Sequence, residues 1–532
     1  MKRVIKRAVS FVLVFMTVFS VFTILPSEVF HTAYVKAAEM FSSETGASAQ
    51  DTYTTDDFTY TLIDEYSKVQ ILSYIGSDTD VVIPDRIDNK KVTSIADSAF
   101  RNKSITSVVF GQYIESIGNY AFYSCQSLNK LDFSKSSVKT IGDFVFSMSK
   151  SLTSVEFPDS LESIGNYAFS PYSNGYGGGY ATYVASNLES VKFGSGIKTI
   201  GEQAFFKNEK LQTLEITGGN LVSIGNGAFQ YCSALTEINL KGNNAVIGSS
   251  AFYNDTALKK VTVGTGIKKI RNSAFSCCPE ITELVFADGL ETIESYAFYN
   301  CKKIKSVDLP KTLITIESNA FESCSNLSAI AIPDSVTALK DNTFYNCVVL
   351  KNVAIGSGCK SISSTAFSNT TALEKITVSD DNTSYASVDG VLYNKNKTTL
   401  VLYPKSRKGE FVVPDTVTTI ADRAFENCYG LTGITIGKNV KTIGTYAFQN
   451  CSALTKAVFK DSDSINKTIG NYAFYNCKAL TDIDFGNTVT SIGSYAFVMT
   501  KSLTTLEFPD SLESIGNYAF SPYSNGYGGG YA

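Results

Sequence analysis

The residue types that carry most enzyme chemistry are thin in this chain. Its single histidine is His31, which falls in a stretch read below as an export signal, so the mature chain would hold none. That removes Ser-His-Asp and Cys-His nucleophilic catalysis, and histidine metal sites, together. Nine of the eleven cysteines follow a phenylalanine by three residues: Cys125, Cys232, Cys278, Cys301, Cys324, Cys347, Cys428, Cys451 and Cys477. Cys277 and Cys359 stand apart. A position repeated in this way is structural. Stacked side chains lie near the ~4.8 Å strand separation, wider than the ~3.8 Å Cβ spacing of a disulfide. The expectation is a set of small buried thiols, without CxxC-type metal spacings. Aspartates and glutamates are scattered, with no distinctive acid/base partner. No catalytic residue, metal ligand or cofactor is therefore assigned.

Binding chemistry has more candidates. The segment SPYSNGYGGGYATYVASN places Tyr172, Tyr176, Tyr180 and Tyr183 among glycines. Tyrosine supplies contact area and a hydroxyl, and glycine supplies freedom, so this reads as a binding loop or as a tolerated flexible insertion. Lys395, Lys397, Lys405, Arg407 and Lys408 concentrate positive charge on an otherwise acidic chain. They suit a polyanion site, or a charged hairpin edge that resists aggregation. The Asp461-Ser-Asp463 insertion offers too few ligands for calcium. Tryptophan, the usual sugar-stacking residue, is absent, although 30 tyrosines could partly substitute.

The elements that must position these residues come from a repeat. An Ala-Phe dipeptide recurs, with Val145 or Thr343 twice replacing the alanine, and from Phe229 to Phe367 every spacing is 23 residues. Phe122, Phe229, Phe252, Phe275, Phe298, Phe321, Phe344 and Phe448 belong to this series of seventeen. A fixed period of this length marks a solenoid. In the coil from Ile281 the alternation Leu284-Val285-Phe286 predicts a short strand, and the Ala297, Phe298, Cys301, Ile304 spacing predicts one helical or 3-10 turn. One coil cannot close a core alone, so the phenylalanines must stack between neighbours.

The pattern L-x-x-[VI]-x-[FLI]-x3-[VL]-x-x-I-[GE]-x-x-A-F-x-x-C resembles the BspA-like leucine-rich-repeat family. Leu152 to Phe169 (LTSVEFPDSLESIGNYAF) and Ile304 to Cys324 (IKSVDLPKTLITIESNAFESC) carry it well, and the likeness runs from about residue 58 to the end. The resemblance implies a leucine-rich-repeat-like solenoid, and the seventeen phenylalanines give it about seventeen coils. It also implies a microbial surface or secreted protein, with adhesion to host matrix or other cells as a family role.

Within such a solenoid the middle strand residues should face outward. They include Thr262, Val285, Asp308, Ala331, Ala354 and Thr377, and Asp308 is the one charge between Thr262 and Val458. A flat, low-charge strip suits an extended protein or glycan, or it merely satisfies a curved sheet.

Organisation along the chain follows. Residues 1–37 read as a signal peptide: Lys2, Arg3, Lys6 and Arg7, then an apolar run from Ala8 to Leu25, then Val35-Lys36-Ala37. An uncleaved anchor is the alternative, since the apolar run approaches a membrane span. Cleavage removes five lysines and arginines and Glu28, taking the formal charge from −4 to −8. An acidic product argues against nucleic-acid binding. Residues 38–57 are a flexible polar segment, 58–90 a capping hairpin, and 91–532 the solenoid with insertions near 170–187 and 379–410. The second insertion reads as a hairpin from Val388–Tyr393 and Thr398–Tyr403. Residues 501–532 repeat 150–181 with two changes and stop inside the loop, so the solenoid reads as C-terminally incomplete. The functional expectation is a secreted or cell-surface bacterial binding protein, non-catalytic, for an extracellular protein or glycan. The alternative is a spacer presenting a further C-terminal domain. Contact with a membrane is expected only through the signal peptide or an anchor outside this sequence.

Overall fold

A computed structural model describes residues 51–173, 182–462 and 464–522. The expectations for residues 1–37, for most of 38–57 and for Tyr176 and Tyr180 lie outside the described residues. The chain divides into two compact units, 1–54 and 55–532. The described part of the first carries the strand Thr52–Thr54. The second is a β-solenoid.

Each coil of the solenoid places one short strand on each of two faces. On one face the isoleucine of the I-[GE] motif points inward and the strands pair in parallel, as in Thr292↔Thr315 and Ile293↔Ile316. This ladder runs from Phe58–Ile63 to Thr315–Ile316, resumes at Ala338–Leu339 with Ser361–Ile362, and runs again from Tyr385–Val388 to Ser514–Ile515. Glycine after the isoleucine allows close coil approach. A Cβ on Gly225 would sit 2.5 Å from the backbone nitrogen of Glu202. The V-x-F strands form the other face, broken into separate three- and four-stranded sheets.

The Ala-Phe segment differs from the expected helical turn. No helix occurs among the described residues. In the coil of Phe298, residues two before and two after the ring, Tyr296 and Asn300, are left-handed, with φ of 58° and 61°. Amides of Ala297, Tyr299 and Cys301 close tight turns onto the carbonyls of Glu294, Tyr296 and Phe298. The alternate amides of Tyr296, Phe298 and Asn300 instead donate to Ser318, Ala320 and Glu322 of the next coil. A helix would spend every amide inside its own coil. This turn sends every second one to its neighbour, so the third side of the coil is also hydrogen-bonded to the next. Asparagine tolerates the left-handed region better than most residues. It recurs two places after the ring, where the Asn450 and Asn476 side-chain amides each donate to the preceding asparagine at 2.8 Å.

The core is the phenylalanine stack. Phe122, Phe229, Phe252, Phe275, Phe298, Phe321, Phe344 and Phe448 are fully buried. Rings of successive coils lie nearly parallel, for example Phe275 and Phe298 at 5.3 Å and 9°. Two further coils carry a tyrosine in the ring position. Tyr74 stacks on Phe100 at 5.3 Å, and Tyr403 on Phe425 at 4.8 Å. These two coils lack the Ala-Phe marker, so the solenoid has about 19 coils where the dipeptide suggests seventeen. The antiparallel pair Phe58–Ile63 and Lys68–Tyr74 joins the ladder by parallel pairing of Lys68–Tyr74 with Lys90–Ile95.

The second insertion interrupts this stack. The buried side chains form two clusters, one ending around Phe367 and Leu402, the other running from Val391 to Ala519. Instead of one hairpin there are two. Tyr385–Val388 pairs with Val391–Asn394, which pairs again with Thr399–Leu402. The first turn is Asp389-Gly390, both left-handed at φ 48° and 76°. An Asp-Gly pair with two positive φ values is the preferred two-residue hairpin turn, so it splits what reads as one strand.

Candidate functional site

The V-x-F face offers the most regular exposed surface. Ala329–Ile332, Asn352–Ile355 and Lys375–Val378 form one parallel sheet. Its register sets Ala331 beside Ala354 and Ala354 beside Thr377. In each strand the flanking aliphatic side chains, such as Ile330 with Ile332 and Val353 with Ile355, are buried. Period-2 alternation then turns Ala331 and Ala354 to solvent. Thr262 and Val285 are neighbours in a separate sheet, and Val285 is 43% exposed. Asp308 is exposed but belongs to no strand, since Ser306–Asp308 lies unpaired between these two sheets.

Asp308 nevertheless shares a shallow concavity with Ala331, Ala354 and Thr377. Ser306, Asn352 and Lys375 also line it. The sequence pattern names the floor of this groove but not its polar margin. The margin was legible as a second column, the residue preceding each inward valine or isoleucine. The far edge of the sheet is closed by the insertion, where the Gly390 carbonyl accepts the Ile376 amide at 3.0 Å.

The basic residues of the insertion are not gathered into one patch. Lys395 and Lys397 lie in the turn after Val391–Asn394, whereas Arg407 donates to the Asp389 carbonyl at the opposite end of that strand. The Lys395 ammonium donates to the Asp380 carbonyl at 3.0 Å. Lys405 is buried and ion-paired with Glu426 at 3.6 Å. Glu426 also accepts from Ser368 at 2.8 Å and pairs with Arg423. Burial pushes the Lys405 ammonium below its ordinary range, and Glu426 opposes that shift.

The tyrosine insertion leaves and re-enters through a short antiparallel ladder that pairs Tyr172 with Tyr183. Tyr183 is exposed, with the Lys207 ammonium 5.3 Å from its ring centre. Partial burial and the neighbouring Glu209 raise its phenol above the ordinary range. Lys207 also lies 5.8 Å from the Tyr231 ring. This cation-aromatic cluster joins residues far apart in sequence, so only a contact map could reveal it.

Among the described residues no group of His, Cys, Asp and Glu is arranged to hold a metal ion. All eleven cysteines are free, and Cys277 alone among them is partly exposed. Burial pushes Cys125 and Cys347 up to about 12, which suppresses thiolate chemistry. No helix among the described residues is long and apolar enough to cross a membrane.

Comparison with known proteins places this geometry. A leucine-rich-repeat protein from Bacteroides ovatus has 20% identity, covering 88% of this chain and 91% of that one, with a TM-score of 0.40. A leucine-rich cell surface protein from Faecalibacterium prausnitzii has 21% identity, covering 90% and 100%, with a TM-score of 0.32. The pneumococcal vaccine antigen PcpA has 18% identity, covering 89% and 86%, with a TM-score of 0.24. No curated protein sequence gives a match. The profile of the BspA type leucine-rich-repeat region, by contrast, matches six copies, over residues 87–175, 178–282, 268–388 and 403–525. Those segments span most of the stacked coils described above, and the chain belongs to the BspA-type leucine-rich-repeat family.

Proposed function

We propose that this protein acts outside a bacterial cell as a binding or adhesion protein, and that the exposed V-x-F face is its contact surface. The observation that carries this reading is the in-register set Ala331, Ala354 and Thr377. Small outward side chains lay a flat floor that an extended chain can approach closely. Asp308 and Lys375 border it with opposite charges, and Asn352 adds an amide. Such a groove suits an extended protein segment or glycan, held by polar contacts at its margins. Family membership and the export-like N-terminus support an extracellular setting.

The test is direct binding by the protein beginning at Ala38. Matrix proteins, immobilised glycans and whole cells are offered to it, beside the variant Ala354→Arg. Because Ala354 is exposed, arginine there should leave the unfolding midpoint unchanged while reducing capture at least tenfold. Equal capture by both proteins would remove this face from the contact. Absence of capture from all three sources would favour a spacer that presents another domain.

A further inference from the structure

The cysteine position three residues after the repeat phenylalanine has a defined task. Its side chain donates a hydrogen bond to the carbonyl of the phenylalanine one coil earlier. Cys232 reaches the Phe205 carbonyl at 3.4 Å, Cys278 that of Phe252 at 3.0 Å, and Cys301 that of Phe275 at 3.1 Å. Two coils without the cysteine keep a donor in this role, whereas Thr370 and Thr500 donate to Phe367 and Phe497 of their own coils. Ser149 donates to Phe122 at 3.2 Å, and the Asn208 amide to Phe169 at 3.1 Å.

In the coil of Phe252 this place holds Asp255, which is 0% exposed. One carboxyl oxygen accepts the Cys232 amide at 2.8 Å. The other is buried without a partner. An ionised carboxylate has only acceptors, so it cannot give the Phe229 carbonyl, which already accepts the Cys232 amide at 3.1 Å, the second hydrogen bond that a side-chain donor supplies in the neighbouring coils. A protonated carboxyl can, because it accepts with one oxygen and donates with the other.

We propose that Asp255 is held as a neutral carboxylic acid donating to the Phe229 carbonyl, and that this makes its coil a pH-sensitive point in the solenoid, firm in acid and loosened as the carboxyl ionises. The surroundings agree. The Cys232 thiol faces it from the preceding coil and the Cys278 thiol from the following one, and Glu209 adds a further negative group near Cys232. No cation is among them. Burial raises the carboxyl well above its ordinary range, opposed only by the Cys232 amide. Glu426, the other deeply buried carboxylate among the described residues, differs in having Lys405 and Arg423 beside it.

The direction of the pH effect follows. A carboxyl whose folded value lies above its unfolded value keeps a proton that the opened coil releases. Its stabilisation is complete below the unfolded value, about 3.9, and is lost as pH rises toward the folded value. Coupling in a solenoid is between neighbours, so the loss should be concentrated near this coil.

The test compares the full chain with Asp255→Asn, which keeps an acceptor for Cys232 and offers a donor for Phe229, as the Asn208 amide donates to Phe169 two coils earlier. Amide exchange protection from Phe229 to Cys278 is measured against pH and corrected for the intrinsic rate. The native chain should lose up to about tenfold in protection per pH unit above the unfolded carboxyl value, while the variant stays level. A parallel pH dependence in both proteins would overturn the proposal. The infrared difference spectrum at neutral pH should contain a protonated-carboxyl band that the variant lacks, and its absence would also overturn it. If Asp255→Asn folds poorly, Asp255→Cys, matching the flanking coils, takes its place in both measurements.

Discussion

The thiol of Cys301 donates to the carbonyl oxygen of Phe275, 3.1 Å away and one coil earlier. This contact explains why the family motif ends on cysteine and not on an aliphatic residue of similar size. The ring of Phe275 fills the core and its carbonyl takes this thiol as donor, while in most other coils the thiol is a second donor beside the amide of the coil itself, as the Cys301 amide is for Phe298.

Substitution at Cys301 should therefore rank by donor capacity ahead of apolarity. Cys301→Val keeps the volume and loses the donor, at a cost of about 1–3 kcal/mol for an unsatisfied buried carbonyl. Cys301→Ser should cost less, as Ser149 already performs this role. Denaturant midpoints of the two variants decide the matter, and a more stable valine variant would refute the assigned role.

Phe298→Ala should cost roughly 3–5 kcal/mol, because the fully buried ring is stacked on both sides, at 5.3 Å and 5.4 Å. The damage should stay near the altered coil, since each coil touches only its neighbours. Exchange protection should fall between about Phe275 and Phe321 and persist beyond Phe425. A uniform drop along the solenoid would count against nearest-neighbour coupling.

The ion cluster at the break in the phenylalanine stack behaves differently. Glu426→Ala leaves the Lys405 ammonium buried without its counter-charge and should cost about 3–5 kcal/mol. Adding Lys405→Met should recover much of that loss, because methionine removes the buried charge and nearly preserves the volume. The double-mutant cycle measures the coupling directly. Additive costs would mean that the two groups do not depend on each other.

The sequence by itself determined the repeat, the family and the identity of the stacking residue. The physical reason is that burial alternates within a single coil and then recurs, so the pattern of Leu284, Phe286, Ile293 and Phe298 is readable without knowing what lies next to it. What only the tertiary structure decided depends on the neighbouring coil. The Tyr296 and Asn300 backbone looks helical by spacing alone, yet its amides are shared with the next coil, which selects left-handed turns. Tyr74 and Tyr403 complete the ring stack without the dipeptide that marks it elsewhere. Lys405 counts as surface charge in the sequence, but tertiary packing buries it against Glu426. The Cys301–Phe275 contact joins residues 26 positions apart. Spacing marked the place as structural and buried, but the carbonyl it serves, and hence the half-partnered burial of an aspartate there, appears only when one coil is laid upon another.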